Sequence, residues 1–121
     1  MMQEWTKTDA DTVSINFLLF DRFSNMCLAN CLEPIRAANT LIGREIYTWR
    51  FLSLEGHTVS SSSGLPVLSQ GELSNMGHCD YLFILSSYDY HLHDTVQCRK
   101  ALQDSARKSK TIVGLDTGPW L

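Results

Sequence analysis

The sequence predicts an α/β fold: a doubly wound, mostly parallel sheet with helices on both faces. Three observations point there. Phe17-Leu18-Leu19-Phe20, Tyr81-Leu82-Phe83-Ile84-Leu85 and Ile112-Val113-Gly114-Leu115 are runs with almost no polar break, which suits strands covered on both sides rather than half-exposed ones. Segments with apolar residues three and four apart stand between these runs, as crossover helices require. The resulting order is β-α-β, an extended insert, then β-α-β, and right-handed crossovers in that order wind the helices onto both faces.

The elements follow in turn. Thr12-Val13-Ser14-Ile15-Asn16-Phe17 alternates before the apolar run to Phe20, giving a first strand that stops at Asp21-Arg22. Ser24 or Asn25 can cap a helix running to about Ile42, whose apolar residues Leu28, Cys31, Leu32, Ile35, Ala38 and Ile42 keep helical spacing. Pro34 lies inside it and is expected to kink or restart it; Gly43 is a suitable stop. Ile46 to Leu54 is aromatic and β-branched enough for a second strand, turning at Glu55-Gly56. Thr58 to Ser63 and Pro66-Val67-Leu68 read as short extended pieces, and Glu72 to Met76 as one helical turn. Tyr81 to Leu85 is the next buried strand, Leu92 to Lys110 a helix with a polar outer face, and Thr111 to Leu115 a last strand. Asp116-Thr117-Gly118-Pro119 opens a helix that stops at Leu121, so the sheet is expected to need further C-terminal sequence.

Length and composition bound the function. The chain has 121 residues, 10 Lys+Arg against 13 Asp+Glu, and a net charge of −3. That is one domain's worth of chain, 44% hydrophobic and 19% charged. The slight acidic excess argues against a phosphate-binding surface, where Lys and Arg concentrate. No apolar run approaches the ~20 residues that span a bilayer, and the polar, acidic start is unlike a secretory signal. We therefore expect a cytoplasmic location, a flexible leader over residues 1–12 and one domain over residues 13–121. The four cysteines contain no CxxC pair, and Cys27 and Cys31 share one helix face, so reduced thiols are expected, with Cys98 half-exposed.

In an open α/β sheet the ligand crevice lies beyond the C-terminal strand ends. Three exits matter: Phe20-Asp21-Arg22-Phe23, Ser86-Ser87-Tyr88-Asp89-Tyr90, and Asp116-Thr117-Gly118. The third is a tight strand-to-helix turn that aims one side chain over a helix N-terminus. Enzymes put Ser or Cys there; here it is Asp116. The plain reading is that Asp116 caps the following helix; the functional one is that it also touches a ligand. A role as nucleophile would need an oxyanion hole and a base. Phe23, Tyr88 and Trp120 add aromatic faces near the same crevice, which with a carboxylate suit a cationic, poorly hydrated ligand, although such rings also serve as plain core.

Phe17-Leu18-Leu19-Phe20, Phe23-Ser24 and Leu32-Glu33-Pro34-Ile35-Arg36-Ala37-Ala38-Asn39 resemble the opening of the ThiJ/PfpI superfamily. Gly43-Arg44-Glu45-Ile46-Tyr47-Thr48-Trp49-Arg50, Ser63-Gly64-Leu65 and Gly114-Leu115-Asp116-Thr117-Gly118 narrow the resemblance to the amidotransferase-like N-terminal domain of AraC-type transcriptional regulators. It covers residues 14 to 121. It implies a flavodoxin-like fold of the class I glutamine amidotransferase type, a homodimer, a small effector and a helix-turn-helix domain outside this chain that would contact DNA. Regulators of this kind often respond to quaternary amines or amino-acid-derived nitrogen compounds. The superfamily's enzymes have Cys at the elbow and an acid on the first helix; the corresponding positions here hold Asp116 and, nearest, Cys27.

The expectation is thus a non-enzymatic effector-binding and dimerising domain. Asp116, Thr117, Gly118, Ser86, Ser87, Tyr88, Phe23 and Trp120 would line its pocket, with no catalytic residue, metal or cofactor and no membrane partner. The alternative is a ThiJ/PfpI-type hydrolase, amidase or glyoxalase-like enzyme using Asp116 or a thiol such as Cys27; a scaffold with an occluded crevice is a third. His91-Leu92-His93-Asp94 has zinc-ligand spacing, but His78-Cys79-Asp80 stands about 17 Å away along a strand, so the plain reading is a helix N-terminus. Arg99-Lys100 and Arg107-Lys108-Ser109-Lys110 read as a solvated face, the second group complementing a helix C-terminus.

Overall fold

The computed structural model describes residues 12–87 and 90–116, and of Tyr90 and Asp116 the backbone alone. Strand β1 (Val13–Leu19) leads into helix α1 (Asn25–Ile42) and strand β2 (Tyr47–Leu52). A small antiparallel pair, β3 (Val59–Ser60) and β4 (Pro66–Val67), and a 3-10 turn at Leu73–Asn75 follow. Strand β5 (Cys79–Ser86), a 3-10 turn at Tyr90–His93, helix α2 (Val96–Ala106) and strand β6 (Ser109–Asp116) complete the order. The main sheet is parallel in the order β2-β1-β5-β6.

This order reverses between β1 and β5. The chain leaves β1 through α1 toward one edge and leaves β5 through α2 toward the other, which puts the two helices on opposite faces. Side-chain alternation along β1 serves both layers. Ile15, Phe17 and Leu19 pack with Leu28, Phe23 and Leu85 on the α1 side. Leu18 and Phe20 pack with Leu82, Ile84 and Cys98 on the α2 side. The doubly wound fold expected from the sequence is therefore present.

Helix α1 begins where Ser24, extended at ψ 123°, accepts a bond from the Cys27 N–H (3.2 Å). It ends at Gly43, whose φ of 83° a residue with a Cβ would resist. Pro34 neither breaks nor restarts it, because the helix is continuous from Asn25 to Ile42. Its exit is clamped by Asn39. The Asn39 Oδ1 accepts from the N–H groups of Ile46 and Tyr47 (both 2.9 Å), and its Nδ2 donates to the Tyr47 carbonyl (2.9 Å). Ala at this position removes three bonds and leaves the Tyr47 N–H and carbonyl to find other partners, while the Ile46 N–H keeps the Arg44 carbonyl (3.1 Å). We expect Asn39→Ala to cost about 2–3 kcal/mol in urea unfolding, at ~1 kcal/mol per bond; a loss below about 0.5 kcal/mol would show that water replaces the clamp.

Three expectations change. The second helix is shorter than Leu92 to Lys110. Thr95 accepts from the Cys98 N–H (3.0 Å) and starts α2 there, leaving Tyr90–His93 as a separate 3-10 turn. The basic group begins at the helix end, with Arg107 as the C-cap of α2, but Ser109 and Lys110 already belong to β6: Lys108 Nζ donates to the Met76 carbonyl (3.0 Å) and Lys110 pairs with Asp80 (3.1 Å). Cys98 is buried at 1% exposure rather than half-exposed, because α2 turns that face onto Leu82 and Ile84; burial, with Asp94 adding to it, pushes the thiol up from its ordinary range. The expected leader lies, but for Thr12, outside the described residues.

At the N-terminal edge of the sheet, Asp80 joins β5 to both neighbours. Its Oδ2 accepts from the Ser14 N–H (2.8 Å) and its Oδ1 faces Lys110 Nζ (3.1 Å). The Ser14 N–H holds this carboxyl below the usual aspartate range, with help from Lys110 and against the partial burial that would raise it. A depressed carboxyl contributes stability above its unfolded value, about 3.9, and loses it as pH falls through the folded value. Urea melts should therefore show wild type more stable than Asp80→Asn near neutrality, with the gap closing below about pH 4. A gap independent of pH would contradict this role.

Candidate functional site

The strand order puts a crevice where β1 and β5 lead away from each other. On the β1 side, Phe20-Asp21-Arg22-Phe23 makes a tight return. The Phe23 N–H bonds the Phe20 carbonyl (3.1 Å), and Arg22 takes φ 69°, the left-handed region that is uncommon away from glycine. The turn is tied to the insert: the Arg22 N–H donates to the Ser60 carbonyl (2.7 Å), and Asp21 Oδ1 accepts from the Ser60 N–H (3.0 Å). The loop beyond β3 is held by Ser61, whose Oγ accepts from the N–H groups of Ser63 and Leu65.

On the other side, β5 and β6 end level. Ser86 is the register partner of Asp116, so the two last residues of these strands are neighbours at the lip of the sheet. Ser86 is 1% exposed, and its Oγ has no hydrogen-bond partner. A buried hydroxyl without a partner is uncommon in a folded core, and here it sits beside the last residue of β6. Ser87 continues the same exit, half-buried.

The structure thus brings together Ser86, Ser87 and the backbone of Asp116 from the expected set. Phe23 is a correction. It is fully buried in the α1-side layer with Leu28, Val59 and Leu85, so its ring is core and offers no face to a ligand. The reason is the tight turn after β1, which folds Phe23 back under the strand end. Tyr88, Thr117, Gly118 and Trp120 lie outside the described residues. Cys27, the thiol of the enzymatic alternative, is half-buried on the first turn of α1. Its neighbour Cys31 has its thiol raised, chiefly by burial and then by Cys27. A raised thiol is a poorer thiolate source, hence a poorer nucleophile.

Among the described residues no three His, Cys, Asp or Glu side chains converge as a metal site. His93 instead lies against Phe20, ring centroids 4.8 Å apart, and Asp94 pairs with Arg99 at 2.7 Å. Sequence reasoning missed one feature, a cleft at the exits of β1 and β2 lined by Asp21, Ser53, Glu55, His57 and His93. The residues come from three separated stretches, and only the parallel register makes them neighbours.

No protein-family model matches the sequence. Curated relatives do. The chain is 36% identical over 107 residues to the HTH-type transcriptional regulator GbdR of Pseudomonas aeruginosa, covering 88% of this chain and 29% of that protein. It is 33% identical over 102 residues to the HTH-type transcriptional regulator CdhR of the same species, covering 84% of this chain and 30% of that protein. The chain therefore spans about three tenths of the length of these relatives.

Solved structures share the architecture. A ThiJ/PfpI family protein from Pseudomonas syringae superposes with a TM-score of 0.67 at 14% identity, over 89% of this chain and 43% of that one. An AraC family transcriptional regulator from Pseudomonas putida gives 0.67 at 22% identity, over 89% of this chain and 67% of that one. At such identities the likeness speaks for fold alone. With the homology above, the chain is a segment of ThiJ/PfpI fold homologous to HTH-type transcriptional regulators.

Proposed function

We propose that this chain is the effector-sensing and dimerising part of an AraC-type transcriptional regulator. A small cationic, amine or amino-acid-derived molecule binds in the crevice at the ends of β5 and β6, and a helix-turn-helix domain outside this chain contacts DNA. The observation that carries the reading is a pairing of two facts. Homology to regulators runs over 88% of the chain, and the last residue of β6 is a carboxylate, Asp116, at the position where the resemblance implies a thiol for enzymes. A crevice at that position without the enzymes' nucleophile would be suited to binding.

Ser86 supports the reading from the neighbouring strand, since its unpartnered hydroxyl is available to a ligand atom at the same lip. Effector binding then acts by differential affinity for two arrangements of paired protomers and involves no chemical step. No helix among the described residues is long and apolar enough to cross a membrane.

Calorimetric titration of the chain with betaine-like quaternary amines and with basic amino acids tests the proposal. Saturable heat with one of these sets, and recovery of the ligand unchanged, is the expected result. Absence of heat with both would count against this ligand class, and turnover of small aldehydes or amides that Asp116→Ala abolishes would favour the enzymatic alternative.

A further inference from the structure

The cleft at the exits of β1 and β2 takes in Phe20 and Asp21 of the turn after β1, and neither Ser86 nor Ser87 lines it. It holds about 140 Å³ and is walled by Phe20, Asp21, Ser53, Glu55, His57 and His93. Two residues of its wall each carry a buried atom without a hydrogen-bond partner: Ser53 Oγ and His93 Nε2. Ser53 is 4% exposed, and its backbone is locked by a bond from its N–H to the Gly71 carbonyl (3.2 Å) and one from the Leu73 N–H to its own carbonyl (2.9 Å). The His93 ring is packed on Phe20 at 4.8 Å between centroids.

Buried polar atoms in native proteins are met by protein, water or ligand, and two in one wall mark a place for a small molecule that bonds both. The charge of the wall selects its type. Asp21 and Glu55 bring two carboxylates, and no Lys or Arg lines the cleft. Asp21 Oδ1 already accepts from the Ser60 N–H, which fixes that carboxylate in place. A hydroxyl and a neutral imidazole nitrogen can both accept hydrogen bonds. A cation carrying N–H groups therefore matches the field and the acceptors together, whereas a quaternary ammonium matches only the field. We propose that this cleft is a second binding site, for a small primary ammonium compound. The volume equals that of about four or five water molecules in the liquid, which limits the ligand to a few heavy atoms.

The test is a titration of the full chain with propylammonium, followed in two-dimensional amide NMR spectra, with tetramethylammonium and 1-propanol as controls. Saturable shifts are expected at Ser53, Thr58 and His93 with propylammonium and not with either control. Ser53→Ala and His93→Phe should each weaken binding about tenfold, the loss of one good hydrogen bond to a charged group. Both variants are chosen to fold: the first removes an unpartnered hydroxyl, and the second keeps an aromatic ring on Phe20. Absence of saturable shifts at these residues, an equal response to either control, or unchanged affinity in both variants would overturn the assignment. Because neither Ser86 nor Ser87 lines this cleft, shifts confined to Ser53, Thr58 and His93 distinguish it from the crevice over β5 and β6, and either site can fail without the other.

Discussion

Phe17→Ala is expected to bring the domain to the edge of unfolding. Phe17 is fully buried in the middle of β1, with Phe51 of β2 at 5.8 Å and Phe83 of β5 at 5.3 Å between ring centroids. Its register partners are those same two residues, so one aromatic row crosses three adjacent strands on the α1 side. Removing the central ring leaves a hole that neighbours on both sides cannot fill without shifting the strands. Such truncations cost ~3–5 kcal/mol, against about 5–15 kcal/mol for a whole domain. Urea unfolding should show that loss, with Phe17→Leu intermediate. A change under about 1 kcal/mol would mean that the sheet centre is not packed as described.

The second large effect concerns the ligand. If the effector is held by Asp116, Asp116→Ala should lower its affinity on the order of a hundredfold, as removing one partner of a desolvated, hydrogen-bonded charge pair costs several kcal/mol. Asp116→Asn separates charge from shape. It keeps an acceptor at the elbow, so a cationic effector should still lose most of its affinity, whereas a neutral one should lose little. Both variants should unfold at nearly the wild-type urea concentration, which calorimetry and chemical unfolding on the same samples would establish. Undiminished affinity in Asp116→Ala would remove this carboxylate from the site.

The strands and α1 were legible because their signals are local. Apolar runs mark covered strands, Ser24 and Gly43 mark the ends of α1, and the order of elements dictates the reversal between β1 and β5. The adjacency of Ser86 and Asp116 follows from two strands ending together. What could not be read depends on contacts between distant stretches. Phe23 resembles a pocket aromatic in the sequence, but a backbone bond to Phe20 turns it into the core. Cys98 looked half-exposed on a polar helix until the Thr95 cap set the phase of α2. The cleft at Ser53 and His93 joins the exit of β2 to the turn before α2, forty residues apart, and no periodicity encodes that meeting. His93 stood out in the sequence only as half of a zinc-like pair, whereas its partner in the fold is Phe20.

The central claim is that the elbow at the end of β6 is a receptor cavity and not a reaction centre. A crystal structure of the chain grown with a betaine-like quaternary amine tests it most directly. The account predicts intact ligand density against the Asp116 carboxylate, with an aromatic face within about 6 Å of the cation. A carboxylate turned away from any hollow, or a thiolate with a partner acid facing that position, would contradict it.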